Sequence, residues 1–378
     1  MRGFSIARKC FFYVTAIVAF TSVAWSWGGT THIFINKEAV KHLPPSFPFF
    51  ANNVTWISNH ATDPDTRKNA TPGEAPKHFI DIEDYPEFKL GTLPHDINVL
   101  NAEYGATAVS NIGIVPWAII WSLDSLTNSL RRKDSVAALQ FAADLGHYVG
   151  DAHQPLHVTS NYDGGSTGNN GIHSRYESTM LQNNPYNYLT QISIAAKPVH
   201  FIPVPIDTNF AFIGHGNTLV DSILKADTYA KSVSGGAYNS SYYAALWQKT
   251  GAMTQNQIQD ATVDLACLWY TAAINAGLVS VTSVTNASQL PAKFELLQNY
   301  PNPFNPSTTI MFSLGTTAPA TVKIYNLLGQ ELETLSSGTK STGVYRVEWK
   351  PTGLPSGVYL CRLETGGYTQ TRKLILMK

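Results

Sequence analysis

At 378 residues the chain is long enough for two or three domains, each with a core of its own. Hydrophobic residues make up 44% and charged residues only 14%, with 26 Lys+Arg against 26 Asp+Glu. That balance excludes a strongly basic nucleic-acid surface as the main source of affinity, but not a nucleic-acid enzyme whose metals supply the positive charge.

Residues 1–26 read as a secretory signal peptide. Arg2, Arg8 and Lys9 form the basic region and Cys10–Val23 the apolar one, and Ala24-Trp25-Ser26 puts small residues at the −3 and −1 positions for cleavage before Trp27. The apolar run is short for a membrane span, and Cys10 precedes it, which argues against a lipid-modified cysteine. The chain is therefore expected outside the cell or on its surface, after passage through the periplasm. Cys267 and Cys361 fall in different expected domains, so no disulfide framework is expected. Cleavage before Trp27 exposes a free α-amine beside the Trp27 carbonyl, a bidentate pair able to chelate a metal, with His32 five residues on.

Pro44–Phe50 is irregular and aromatic-rich. Asp63-Pro64 and Asp65 read as turn chemistry, with Asp65 a solvated turn carboxylate. Helical periodicity covers Asp96–Ser110 and Pro116–Arg132. Val136, Leu139, Phe141 and Leu145 then suit a helix packed on one side, leading into Gly146–His157. There His147 and Asp151, four apart, share one helical face. Pro155 breaks the turn and throws His157 off in a new direction. After a Gly/Asn-rich loop at 161–170, His173 and Glu177 repeat the four-residue spacing. Any one of these pairs reads as a polar helix face. Three imidazoles and two carboxylates within about thirty residues read as a metal site, because divalent zinc takes nitrogen and carboxylate ligands at short range.

Residues 190–206, with three prolines, cannot be helical throughout. Asp221–Val233 and Thr254–Ala276 return to helix, the latter from a Thr cap to Gly277. At about Ser280–Leu290 the composition turns to that of a linker, and beyond it the period changes from 3.6 to 2. A Pro/Asn turn run at Asn299–Ser307 precedes expected strands at Thr309–Leu314, Thr321–Asn326, Val344–Trp349, Gly357–Glu364 and Tyr368–Met377. Turns at Leu328-Gly329 and Gly366-Gly367 punctuate them. Short strands at this density argue a small β-sandwich.

Taken in order, the Trp27 and His32 start, Asp63, His78-Phe79-Ile80-Asp81, Gly146–His157 and Gly171–Glu177 resemble the zinc-dependent phospholipase C / S1–P1 nuclease superfamily. These are mostly helical exported enzymes with three zinc ions. The resemblance covers about residues 27–280. It implies that one zinc takes Asp63, His78, His147 and Asp151, a second His157, His173 and Glu177, and a third Trp27 and His32 with Asp151 bridging. Asp63 is also the group expected to orient or deprotonate the attacking water. Phe79 and Asp81 stand where the nuclease branch stacks a base and bonds its edge, although plain core packing also accounts for Phe79. Arg67, one residue later than the nuclease branch's arginine, is expected to touch a phosphate oxygen. His60, His95, His153 and His215 match no ligand position.

The short loop before His173 and the Glu177 ligand look like the phospholipase branch. Pro64 and Ala75, however, stand where that branch has choline-holding aromatics, and Thr30 where it has an acidic contact. The expectation is a secreted trizinc phosphodiesterase acting on single-stranded nucleic acid. Phospholipase C, with a phospholipid substrate, is the alternative, and a non-catalytic protein with structural zinc is a third reading. The tail resembles the C-terminal sorting domain of type IX secretion substrates, down to Leu354-Pro-Ser-Gly-Val-Tyr359 and the final Lys373-Leu-Ile-Leu-Met-Lys378. That implies the type IX machinery as a partner; a generic β accessory or adhesion domain is the plainer reading. The expected organisation is a signal peptide (1–26), a mostly α-helical phospholipase C/P1 nuclease-like catalytic domain (27–280), a linker (281–290) and an all-β sandwich sorting domain (291–378).

Overall fold

The computed structural model describes residues 28–183, 187–279, 294–299, 302–341 and 343–377. The expected leader, Trp27 and the linker at 281–290 lie outside the described residues. A helical part is followed by antiparallel sheets, the fold class the two hydrophobic periods imply.

Five principal helices build the first part: α1 (Gly29–Ala39), α2 (Val115–Arg132), α3 (Ser135–Ala152), α4 (Pro205–Ser234) and α5 (Ser240–Asn275), with short helical turns between them. Lys133 in the left-handed region closes α2. The Asp134 side chain then accepts from Ala137 N and opens α3, so the two helices form a hairpin. Every residue of α3 from Ala142 to Ala152 is buried. A helix enclosed all round is a core helix, and that is what carries His147 and Asp151 into the interior.

Two glycines let α1 lie directly on α3. A Cβ on Gly146 would sit 1.7 Å from Asn36 Oδ1, and one on Gly150 2.9 Å from His32 Nδ1. Asn36 donates to the Ala143 carbonyl at 3.2 Å across this crossing. On the opposite side of the core, Trp269 of α5 stacks on Phe50 at 4.7 Å and donates to the Ala142 carbonyl.

Three boundaries differ from the sequence reading. Thr254 does not cap a helix. It lies inside α5, bonded back to the Thr250 carbonyl, and the helix starts at Ser240 under an Asn239 cap. The stretch Asp221–Val233 is the second half of α4. The expected helix at Asp96–Ser110 is two, Ile97–Tyr104 and Ala106–Ile112, broken at Gly105, whose φ of 85° does not continue a helix.

The second part is a β-sandwich. One sheet has order β1-β2-β5, from Glu295–Leu296, Thr308–Leu314 and Gly343–Trp349. The other has order β4-β3-β6-β7, from Glu331–Lys340, Ala318–Tyr325, Gly357–Thr365 and Tyr368–Leu376. The pairings between these described strands are antiparallel. Phe312, Ile324, Trp349, Leu363 and Leu374 fill the space between them. Strand β4 was not anticipated: Glu-Leu-Glu-Thr-Leu-Ser-Ser-Gly-Thr-Lys has no apolar alternation because it is an exposed edge strand. Arg346 of β5 donates to the carbonyls of Ile274 and Asn275 at the end of α5, where Arg131 of α2 also bonds Asn275 O. Among the described residues no single helix is long and apolar enough to cross a membrane.

Candidate metal centre

The His147 ring is fixed by Nδ1 donating to the Ala61 carbonyl at 2.8 Å, which turns Nε2 inward. That nitrogen lies 3.0 Å from His78 Nδ1 and 3.2 Å from Asp151 Oδ2, and His78 Nδ1 lies 3.0 Å from the same carboxylate oxygen. Asp65 Oδ1 is 3.7 Å from both ring nitrogens. On the other side of Asp151, His32 Nε2 approaches Oδ1 at 3.4 Å while its ring stacks on His147 at 3.9 Å.

A second cluster is built where α3 ends. Pro155 stops the α-helix at Ala152, and Gln154 Oε1 accepts from Leu156 N at 2.7 Å to cap a 3-10 turn ending at His157. His157 Nδ1 donates to the His78 carbonyl at 2.9 Å, leaving Nε2 facing His173 Nε2 at 2.9 Å and Glu177 Oε2 at 3.2 Å. His173 and Glu177 lie on a short helix that widens into a π-helix over Arg175–Asn183, and His173 Nε2 meets Glu177 Oε2 at 3.0 Å. Gln154 Nε2 also donates to Glu177 Oε2 at 3.0 Å, so this one side chain positions both His157 and Glu177.

Among the described residues the structure thus gathers three groups able to hold a cation: His32, His147 and Asp151; Asp65, His78 and His147; and His157, His173 and Glu177. Their donor sets fit zinc, which takes imidazole nitrogen and carboxylate oxygen. Asp151 Oδ1 and Glu177 Oε1 are buried with no hydrogen-bond partner among the described residues. A protein fold does not normally leave buried ionic groups in this state, and a bound cation satisfies them. The charge states agree. Burial opposes ionisation of Asp151, but His147 and His157 hold its carboxyl well below the usual range. Burial is likewise outweighed at Glu177 by His173 and His157, which bring it to about 2. Burial drives His78 down to about 4, the neutral form a ligand must have. Burial also opposes charge on His147, yet Asp151 and Asp65 raise it to about 9. Carboxylates that favour a proton there also favour a metal cation in its stead.

Two sequence expectations change place. Asp63 does not face the cluster: its Oδ2 lies 2.9 Å from His60 Nδ1 and accepts from Gln140 at 3.2 Å. Asp65, read from sequence as a solvated turn carboxylate, occupies the position instead. Residues 63–67 form one helical turn, and positions two apart on a helix point about 200° away from each other. Arg67 shares the Asp63 face and bonds Asp144 at 2.8 Å and Glu74 at 3.5 Å, away from the metal groups. The cation that reaches the site is Lys68, one turn after Asp65. Counted from Asp65, Lys68 has the three-residue separation that the nuclease resemblance assigns to an arginine, and that spacing was the available signal. Gln154 carried no comparable signal in the sequence.

Beside His78, His157 and His173 opens a cavity of about 260 Å³, also lined by Lys68, Ala75, Phe79, Asp81 and Tyr162. Phe79 is half-buried and extended, with its carbonyl accepting from Val115 N. Asp81 N donates to the Ile112 carbonyl at 2.7 Å. Between these two contacts Gly113 passes so close that a Cβ would lie 2.2 Å from the Phe79 oxygen, at a φ of 101° open to glycine. Burial, with Asp84 and Glu83 adding like charge, pushes the Asp81 carboxyl up to about 7.

Residues 27–184 match the S1/P1 Nuclease family, and residues 298–377 the Secretion system C-terminal sorting domain. The nuclease match falls on the helical part and the sorting-domain match on the sandwich. Nuclease S1 of Aspergillus oryzae (strain ATCC 42149 / RIB 40) is 28% identical over 170 residues, 43% of this chain and 53% of that protein. The chain therefore spans about half the length of this curated relative. Among solved structures, Clostridium perfringens alpha-toxin from avian strain SWCP has a TM-score of 0.43 at 13% identity, covering 91% of this chain and 97% of the toxin chain. Alpha toxin from Clostridium absonum has a TM-score of 0.39 at 12% identity, covering 93% and 96%.

Proposed function

We propose that this chain is an exported phosphodiesterase that holds three zinc ions and cleaves single-stranded nucleic acid. Asp65, His78, His147 and Asp151 would hold one ion, and His157, His173 and Glu177 a second. His32 and the other oxygen of Asp151 would hold the third, together with the amine and carbonyl of an N-terminal Trp27. Zinc in such a site supplies a water of near-neutral pKa and neutralises the oxygens of a phosphodiester. Asp65 takes over the role expected of Asp63, accepting the proton of the attacking water at its carboxylate. The Lys68 ammonium balances a non-bridging phosphate oxygen. Phe79 stacks a base, which any base allows because each has a π-face, and Asp81 bonds its edge.

The observation that carries this reading is that Phe79, Asp81 and Lys68 line one cavity with His78, His157 and His173. In this reading the groups proposed to hold base and phosphate stand beside those proposed to hold metal. The open cavity also argues against zinc serving structure alone, since structural sites are closed by four protein ligands. Phospholipase C remains the second reading because Glu177 is that branch's last ligand. The cavity speaks against it. Ala75 lines the wall where a choline-binding aromatic would stand, and Thr66 follows Asp65, so neither position offers a π-face to a quaternary ammonium. The sandwich at the C-terminus is read as the address recognised by the type IX machinery, which delivers the enzyme to the cell surface or beyond.

The test is side-by-side hydrolysis of single-stranded DNA, RNA and phosphatidylcholine by the purified zinc-loaded protein. Faster turnover of nucleic acid is expected; phosphatidylcholine as the faster substrate would overturn the assignment.

A further inference from the structure

A second cavity, of about 340 Å³, is lined in part by chain neighbours of residues that line the first. Successive residues of two short segments divide between them. Arg67, Glu74 and Lys77 line the second cavity, while their chain neighbours Lys68, Ala75 and His78 line the first. Tyr148 also lines the second cavity: its ring packs edge-on against His78 at 5.6 Å, and its hydroxyl donates to Glu74. The second cavity is thus one side chain away from the candidate metal ligands.

Its chemistry differs from that of the first. Arg67 and Lys77 are matched by Glu74 and Asp144 in short ion pairs, so the floor offers donors and acceptors without net charge. The rim carries Trp121 of α2, a residue 44% exposed. An indole left this open beside a balanced polar floor suits a neutral flat ring with polar edges better than it suits a phosphate or an aliphatic chain.

We propose that this cavity is a flanking-base subsite, in which Trp121 stacks the nucleobase next to the one held by Phe79. The inference rests on the nucleic-acid reading above and deepens it. The enzyme would grip two neighbouring bases on either side of the ridge formed by residues 67–68, 74–75 and 77–78, and single-stranded chains would bind more tightly than one-base substrates.

The test uses the full zinc-loaded chain and two probes. One is a single-stranded DNA decamer with phosphorothioate linkages, followed by fluorescence anisotropy. The other is a nucleoside p-nitrophenyl phosphodiester, which carries one base and reports turnover. Trp121→Ala should weaken decamer binding about tenfold, within the range for losing one base stack. It should leave kcat and KM for the one-base ester unchanged, and Trp121→Tyr should restore decamer binding. Decamer binding unchanged by Trp121→Ala overturns the subsite, and so does an equal loss with the one-base ester. If the wild-type protein hydrolyses no nucleic-acid phosphodiester, the nuclease reading falls separately. The anisotropy arm still judges the cavity, because a decamer that does not bind, or binds without regard to Trp121, removes it.

Discussion

Asp65 Oδ1 stands 3.7 Å from a ring nitrogen of both His78 and His147, whereas Asp63 is engaged by His60 and Gln140. Asp65→Ala should therefore lower kcat on the order of 100-fold or more, given that even residues behind the ligands cost about 10–100-fold. Asp63→Ala should leave turnover close to wild type. Steady-state kinetics of the pair decides which aspartate serves, and the reverse ranking would restore Asp63. Gln154→Ala, which removes the donor to Glu177, should weaken zinc binding about 10–100-fold in a chelator competition.

Asp81 gives a pH signature. Its carboxyl is raised from an ordinary 3.8 to about 7 by burial and by the neighbouring Asp84 and Glu83. The folded state therefore holds this proton more tightly than the unfolded chain. The associated stability is fully present below about pH 4 and is lost as pH rises through 7. Asp81→Asn should raise Tm at pH 8 relative to wild type and leave it unchanged at pH 4, as thermal melts at the two pH values would show. At this scale the histidines were legible from their spacing. The choice between Asp63 and Asp65 was not, because it depends on which side of a single helical turn faces inward.

Among the elements, α3 sets the geometry. It is buried all round from Ala142 to Ala152, and α1 can lie on it only because Gly146 and Gly150 have no side chains. Gly146→Ala would drive a methyl group into Asn36 and should cost about 1–3 kcal/mol in chemical denaturation, typical of overpacking. A neutral result would mean that α1 and α3 separate at the crossing without cost. Pro155 as the end of α3 was readable because its ring forbids continuation. The start of α5 at Ser240 was not, since Thr254 imitates a cap while its hydroxyl bonds back within the helix. Strand β4 escaped notice for the opposite reason: on an exposed edge no core imposes alternation.

At the scale of the whole molecule, the helical part holds all three candidate metal groups and the cavity beside them, and the sandwich contributes none of those residues. The described contacts between the two parts include the Arg346 guanidinium on the last carbonyls of α5. Arg131 still bonds Asn275 O once Arg346 is removed. Deleting residues 291–378 should thus leave the helical part folded and active in vitro while blocking its delivery outside the cell, read by fractionation and assay of purified protein. Loss of activity in the purified truncated chain would show instead that the sandwich shapes the site. The change of hydrophobic period made this division legible, and motif order singled out the histidines and carboxylates that the fold gathers. How the cavity joins Phe79 and Lys68 to them needed three-dimensional packing.

The proposed trizinc phosphodiesterase requires its metals. Elemental analysis of the purified wild-type chain measures them directly. Three zinc ions per chain are expected, one for each gathered group, with His147→Ala or Asp151→Ala losing zinc and most thermal stability together because ligand binding is coupled to folding. Fewer than two zinc ions per wild-type chain would contradict it.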